Sequence, residues 1–250
     1  MKKLLATALA LLVVSLPVFA QTEVRLLANT SPPYSDRQLP DQGLALEIVN
    51  HVFTRAGYTA NIEFESWSRA MEGVSIGVYD ALAAAWYTEE RAREFLFSKP
   101  YLSNKLVLLK LRSDPTGYTS LEQLAGKRLG HQVDYAYGVD FDAIPRLQLV
   151  PQNYALQNLL DLLNGKVDAV IGDQRTLAMQ MHEYLQNDIQ KFQVADIALP
   201  VRSRHVAATR QLTGEEEVVA AFNKALAEAQ RDGSIDAIVR KWDERYSIAD

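Results

Sequence analysis

Short apolar runs alternate with amphipathic stretches along most of the chain. The apolar runs are bounded by polar residues and are too short for core helices, so they predict buried strands. The amphipathic stretches place apolar side chains at three- and four-residue spacing, and Leu44–Ala56 stops at Gly57, a residue typical of helix ends. This alternation predicts an α/β fold of largely parallel sheets flanked by helices. The predicted strands are Val24–Ala28, Asn61–Glu65, Ala81–Ala85, Leu106–Leu111, Arg128–Gln132, Leu147–Val150, Val167–Ile171 and His205–Thr209, and the predicted helices are Leu44–Ala56, Arg69–Ile76, Tyr135–Asp142, Asn153–Leu163, Gln174–Leu185, Glu215–Arg231 and Ser234–Trp242.

A repeated sequence pattern predicts two similar lobes. The pattern G-x-x-D-A occurs at Gly77–Ala81 and again at Gly165–Ala169, each time running into an apolar strand. A polar segment with Pro and Gly, Arg112–Thr119, reads as a linker. We therefore predict that lobe 1 contains residues 22–110 and 201–250 and that lobe 2 contains residues 111–200. The chain then crosses between the lobes twice, and strand ends from both lobes meet at one cleft.

The first 20 residues have the pattern of a signal peptide: a basic start at Lys2 and Lys3, an apolar stretch, and small residues up to Ala20. Cleavage after Ala20 predicts export to the periplasm. Removing Lys2 and Lys3 changes the formal net charge from −5 to −7, and no Lys/Arg cluster follows, which argues against nucleic acid or an anionic membrane as partner. The absence of cysteine excludes disulfides and a lipid-modified cysteine.

The most informative stretch is Asp80–Tyr101, in which a buried strand is followed by a short helix. Thr88 is the expected N-cap of that helix, and Arg91 lies in its first turn. In open α/β sheets ligands bind at the carboxyl ends of strands, and a guanidinium at that position can hold a carboxylate with two hydrogen bonds. The alternative is a surface arginine paired with Glu94, three residues further on.

Asp173 occupies the corresponding position in the second lobe, where a strand ends and a helix begins. It is either a plain N-cap or, if it faces the cleft, a receptor for an ammonium opposite Arg91. The two residues together would describe an amino acid zwitterion. Aromatic residues at the same strand ends are packing residues or candidate walls of the cleft, which would sandwich a ligand side chain or, with Asp134 nearby, surround a cation: Tyr34, Trp67, Trp86, Tyr87, Tyr135 and Tyr137.

Signals for catalysis and cofactors are poor. The sequence contains no G-x-S-x-G, P-loop or G-x-G-x-x-G, and its four histidines are scattered. Without cysteine the usual zinc patterns are also missing. We expect no metal, no cofactor and no catalytic residue.

A resemblance to a known protein family covers nearly the whole mature chain, from Pro32 to about Trp242. The chain resembles the family 3 periplasmic solute-binding proteins, the polar amino acid receptors of ABC importers. The matching segments are Pro32–Tyr34 (P-P-[YF]), Trp67–Ala70 (W-x-x-x), Gly77–Ala81 (G-x-x-D-A), Thr88–Arg91 (T-x-x-R), Phe97–Tyr101 (F-S-x-P-Y), Leu121–Lys127 (L-x-D-L-x-G-K), Asn164–Ala169 with Asp173 (N-G-x-x-D-A-x-x-x-D), and Asp232–Ser234 with Lys241–Trp242 (D-G-[ST]…K-W).

The resemblance implies a two-lobed type II periplasmic-binding-protein (Venus-flytrap) fold, in which each lobe is a mostly parallel sheet flanked by helices. It implies that Arg91 binds the α-carboxylate of an amino acid, that Asp173 accepts its α-ammonium, and that Tyr34 and Trp67 form walls. With Trp86, Thr88, Tyr135 and Arg69, a possible second anion contact, these are the expected ligand-binding residues.

The sequence also departs from the family pattern. Ala84, Ala85 and Trp86 stand where many members have small hydroxyl residues, and Asp134–Ala136 replaces a G-T-T turn. The ligand is therefore expected to be an amino acid, a derivative or another small polar carboxylate.

The expected function is capture of such a solute by a monomer for an inner-membrane ABC permease. Two alternatives stay open: a periplasmic enzyme of the same fold, similar to cyclohexadienyl dehydratase, with Asp173 or Asp134 as the acid, and a sensory receptor for a membrane kinase or chemoreceptor.

Overall fold

The computed structural model describes residues 22–246, in which strands and helices alternate. The signal peptide predicted at residues 1–20 lies outside the described residues. The elements are β1 (Thr22–Ala28), α1 (Leu44–Arg55), β2 (Tyr58–Phe64), α2 (Trp67–Ser75), β3 (Ala81–Trp86), α3 (Arg91–Glu94), β4 (Phe95–Phe97), β5 (Leu102–Asn104), β6 (Leu106–Leu111), β7 (Arg128–Gln132), β8 (Gln148–Gln152), α4 (Ala155–Leu163), β9 (Ala169–Asp173), α5 (Gln174–Tyr184), β10 (Phe192–Val194), β11 (Arg202–Thr209), α6 (Glu215–Arg231) and α7 (Ser234–Tyr246).

The strands form two sheets. Sheet 1 has the order β2-β1-β3-β11-β4, with β5 also paired to β11, and sheet 2 has the order β10-β6-β9-β7-β8. The α/β prediction is confirmed, but both sheets are mixed rather than largely parallel: β11 is antiparallel to β3, and β6 is antiparallel to β9. The connections explain this difference. The chain passes from β10 in sheet 2 to β11 in sheet 1. Strand β11 starts beside the carboxyl end of β3, with Arg204 opposite Trp86, and therefore runs antiparallel to β3.

The first passage of the chain between the sheets is very short. β5 pairs in sheet 1 and β6 pairs in sheet 2, so only Lys105 separates the two. The strand Leu106–Leu111, which the sequence placed in lobe 1, therefore pairs in sheet 2, and this corrects the predicted lobe boundary at residue 110. The segment predicted as the linker, Arg112–Thr119, instead folds back onto β6, where Lys110 Nζ donates hydrogen bonds to the carbonyls of Asp114 and Thr116.

Sheet 1 has an apolar core on each face. On one face α1, α6 and α7 pack against it, with the rings of Phe53 and Phe222 4.9 Å apart. On the other face α2 contributes Ala70 and Val74. Every residue of β3 is buried, because its side chains pack into these two cores and, at Trp86, into the core of sheet 2. This explains why β3 is a continuous apolar run rather than an alternating one.

The prediction of a helix at Tyr135–Asp142 is wrong. The segment is irregular, with positive φ at Asp134 just before it and at Gly138 within it. The Tyr137 hydroxyl accepts a hydrogen bond from the backbone N–H of Gln132, and its ring lies 5.9 Å from that of Tyr135 in a stacked arrangement. Aromatic packing beside the strand end therefore replaces the helix.

Among residues 22–246, no helix combines the length and the apolar character needed to span a bilayer.

Candidate functional site

A cavity of about 120 Å³ lies between the two sheets, where β3 and β7 end and β11 begins. The carboxyl ends of strands are the usual ligand positions in α/β sheets. Trp86 is the last residue of β3, and Gln132 is the last residue of β7. The residues that line the cavity are Asn29, Ser31, Trp67, Ala84, Trp86, Arg91, Gln132, Val133, Asp134, Tyr135 and Arg204.

Arg91 enters this cavity from the short helix α3. The Thr88 hydroxyl fixes the start of the helix by accepting the Arg91 backbone N–H at 3.1 Å. The Arg91 side chain donates one hydrogen bond to the carbonyl of Trp86 at 3.0 Å, and its guanidinium lies 4.6 Å from the centre of the Trp67 ring. Burial lowers the pKa of Arg91 from its usual value. The guanidinium is thus oriented by the protein and still has free N–H donors.

Arg91 has no acidic partner in the part of the chain that the structure describes. Within residues 22–246, no carboxylate oxygen lies within 4 Å of its guanidinium nitrogens, so the alternative ion pair with Glu94 does not form. A half-buried arginine without a counter-ion is well suited to an anionic ligand.

Three of the predicted aromatic residues form walls of the cavity. Trp67 stacks on Arg91, while the rings of Trp86 and Tyr135 meet edge to face at 5.0 Å. The Tyr135 hydroxyl lies 2.9 Å from Ser31 Oγ, which joins the β7 side of the cavity to the loop after β1. The walls therefore come from both sheets and touch each other across the cavity.

Asp173 lies outside this cavity and lines a smaller one of about 10 Å³. Its side chain is buried and caps α5 by accepting the backbone N–H of Thr176 at 3.0 Å. It also accepts the Tyr34 hydroxyl at 2.6 Å and the Asn104 amide at 2.8 Å. Its N-cap geometry is the plainer of the two alternatives considered from the sequence, and these three donors already occupy the carboxylate.

Tyr34 is fully buried, so its ring supports the site from behind rather than lining the cavity. Burial, with a further contribution from the negative charge of Asp173, raises the pKa of Tyr34 well above its usual value. Because Tyr34 precedes α1 and Asp173 ends β9, their hydrogen bond links the two sheets.

The remaining two predicted residues lie outside the cavity lining. Thr88 acts through its cap on α3. Arg69 is 76% exposed at its side chain and lies 3.7 Å from Glu65 in an ion pair between residues four apart on the chain. In this structure Arg69 is a surface residue.

Sequence reasoning missed Arg204, which lines the cavity and is only 4% exposed. Its guanidinium lies 3.8 Å from the centre of the Tyr34 ring and donates to the carbonyl of Ala84 at 3.2 Å. The strand predicted from the sequence begins at His205, so the prediction left Arg204 in a loop. The available signal was the alternation of Arg202, Ser203 and Arg204 ahead of an apolar strand.

The chain matches the family described as bacterial extracellular solute-binding proteins, family 3, over residues 26–244. One similar protein, from Escherichia coli (strain K12), is provisionally named ABC transporter arginine-binding protein 2. It is 26% identical over 253 residues, which cover 97% of this chain and 99% of the relative. The L-cystine-binding protein TcyJ of Escherichia coli (strain K12) is 23% identical over 230 residues, covering 86% of this chain and 80% of the relative.

Among solved structures, the chain is similar to an amino acid ABC transporter substrate-binding protein, AbpA, from Streptococcus pneumoniae Canada MDR_19A bound to L-arginine. The TM-score is 0.73 at 22% identity, and the match covers 91% of this chain and 97% of the other. This likeness shows the fold: the chain has the two-lobed α/β architecture of type II periplasmic binding proteins.

Proposed function

We propose that this chain, which belongs to the bacterial extracellular solute-binding proteins, family 3, captures a small polar carboxylate, such as an amino acid or a derivative, and delivers it to an ABC permease of the inner membrane. The relatives above carry the names of amino acid-binding proteins, two of them of ABC transporters. We further propose that the protein is exported to the periplasm and acts there as a monomer.

The observation that carries the proposal is the position of Arg91. It faces a cavity between the two sheets, is oriented by Thr88 and Trp86, and has no carboxylate partner within 4 Å among residues 22–246. In the proposed complex its fork binds the ligand carboxylate through two parallel N–H···O bonds. Trp67, which stacks on the guanidinium, and Trp86 flank the rest of the ligand.

We propose binding without chemistry. A general acid must reach the ligand within hydrogen-bond distance. Among the described lining residues the only carboxylate is Asp134, which is exposed to solvent at a turn, while Asp173 lies outside the cavity with its oxygens engaged. These placements favour a receptor over the dehydratase alternative.

The test is a thermal-shift screen of the exported protein against amino acids and small organic acids, followed by calorimetric titration of each hit. A ligand at a hundredfold excess over its Kd stabilises the native state by about 2.7 kcal/mol. Arg91→Ala is expected to weaken binding by at least about thirtyfold, because truncating one partner of a buried charge pair costs 2 kcal/mol or more. The control is Arg93→Ala, which removes an exposed arginine from the same helix and is expected to leave the Kd unchanged.

Two results would count against the proposal. The first is a screen in which no carboxylate stabilises the protein. The second is an Arg91→Ala variant whose Kd equals that of Arg93→Ala, since the ligand would then bind away from Arg91.

A further inference from the structure

Arg204 is an unusual buried cation. It is 4% exposed, yet within residues 22–246 no carboxylate oxygen lies within 4 Å of its guanidinium. Its guanidinium lies over the rings of Tyr34 and Trp86 and donates to the carbonyl of Ala84, and its Nε–H has no hydrogen-bond partner among the described residues. Buried charges in proteins are normally paired, and a buried donor without an acceptor is destabilising. An anion bound in the adjoining cavity would supply the missing counter-charge.

Arg204 shares the cavity with Arg91. Neither guanidinium has a carboxylate partner among the described residues, and they reach the cavity from different elements, β11 and α3. A third arginine, Arg202, lies close enough to add like charge to Arg91 and donates to the carbonyl of Tyr87. The lining thus contains two arginines against one acidic residue, the exposed Asp134.

The groups that would recognise an ammonium are less available. The carboxylate of Asp173 is buried outside the cavity, and its oxygens accept hydrogen bonds from Tyr34, Asn104 and Thr176. The described lining of the cavity therefore contains two receptors for anions and no buried carboxylate for a cation. An α-ammonium bound between the two arginines would lose water and meet like charge.

From this arrangement we propose that the ligand is a small dicarboxylate without an α-ammonium, with one carboxylate on Arg91 and the other on Arg204. The inference rests on the proposed solute-binding function and specifies the ligand class of the same cavity. Both arginines present planar forks that match carboxylate geometry, and the aromatic walls Trp86 and Tyr135 enclose the short apolar segment between the two anionic groups.

The experiment is calorimetric titration with four matched probes: succinate, the monocarboxylate butyrate, the amino dicarboxylate aspartate, and arginine. Each carboxylate on a buried guanidinium is worth about thirtyfold in affinity. Succinate is therefore expected to bind at least about thirtyfold more tightly than butyrate, and more tightly than aspartate or arginine. Glutarate serves as a second dicarboxylate, one methylene longer.

Arg204→Gln is expected to reduce the preference for succinate over butyrate to less than about threefold. Arg112→Gln is the matched control, because Arg112 also donates to backbone carbonyls, those of Gln190 and Phe192, but lies away from the cavity. Arg112→Gln is expected to leave the preference intact. If Arg204→Gln does not fold, the four-probe comparison on the unaltered protein decides the question alone.

The outcomes separate this inference from the broader proposal. If arginine or aspartate binds as tightly as the dicarboxylates and Arg91→Ala abolishes that binding, the receptor function stands and the dicarboxylate inference is overturned. If butyrate equals succinate, the second anion site is absent and the inference is likewise overturned. If no probe and no other carboxylate binds, both proposals fail together.

Discussion

The hydrogen bond between Tyr34 and Asp173 offers a direct test of how the two halves of the molecule are held together. The Tyr34 hydroxyl is fully buried and donates to Asp173 Oδ1 at 2.6 Å across 139 residues of sequence. Tyr34→Phe removes only this oxygen. The ring that lies under Arg204 remains, and Asp173 Oδ1 still accepts the Thr176 N–H at 3.0 Å.

The expected loss follows from the charge of the acceptor. A hydrogen bond to an ionised group contributes about 1.5–3 kcal/mol to the free energy of unfolding. In a protein of this size each kcal/mol shifts Tm by about 2–4 °C, so Tyr34→Phe should lower Tm by about 3–12 °C. The buried Asp173 gains no water in exchange, which places the effect well above that of a surface bond.

The assay is thermal unfolding followed by circular dichroism, with Tyr79→Phe as the matched control. The Tyr79 hydroxyl also donates to a carboxylate, that of Glu63 at 2.7 Å, but in an exposed pair. Because water replaces the lost bond there, Tyr79→Phe should change the free energy of unfolding by less than about 0.5 kcal/mol. Equal Tm values for the two variants would refute the reasoning, since the burial of the Tyr34–Asp173 bond would then have no energetic consequence.

Two further predictions concern charges away from the cavity. Burial and the negative charge of Asp80 raise the pKa of Glu215 from 4.5 to about 7, so the folded chain binds a proton that the unfolded chain releases. The free energy of unfolding should therefore fall as the pH rises from about 4.5 to 7, a slope that Glu215→Gln removes and that Glu216→Gln, exposed in the same turn, retains. Asp243→Asn should lower stability by about 1 kcal/mol in urea unfolding, because Asp243 accepts two hydrogen bonds from Arg175 at 2.5 and 2.8 Å. A loss as large in about 1 M salt as at low salt would show that the pair does not act through its charges.

The sequence predicted the elements that local pattern controls. Helix α6 was predicted with its observed bounds, because three acidic residues mark its start and Gly233 follows its end. Strand β3 was predicted to within one residue, since an apolar run of that length between polar residues has few alternatives. Both depend on neighbours along the chain.

The features that the sequence did not predict depend on distant partners. Asp173 was correctly placed at the junction of β9 and α5, but its engagement with Tyr34 and Asn104 joins segments far apart in sequence. Arg204 becomes a lining residue only because β11 pairs beside β3, with Arg204 opposite Trp86. The non-helical segment that contains Tyr135 packs this ring against Trp86 of the other sheet. No local periodicity encodes these contacts.

The position of β11 in sheet 1 has a consequence for the order in which the molecule can be assembled. All strands of sheet 2 lie within residues 106–194, whereas sheet 1 needs residues 202–209 between β3 and β4. A chain that emerges N-terminus first therefore has every strand of sheet 2 available before sheet 1 can be completed. Until β11 arrives, β3 presents an open edge, the kind of edge that pairs with other chains. Truncation before Arg202 should thus leave sheet 2 with its full set of strands, while the sheet 1 strands in residues 22–104 become prone to aggregation.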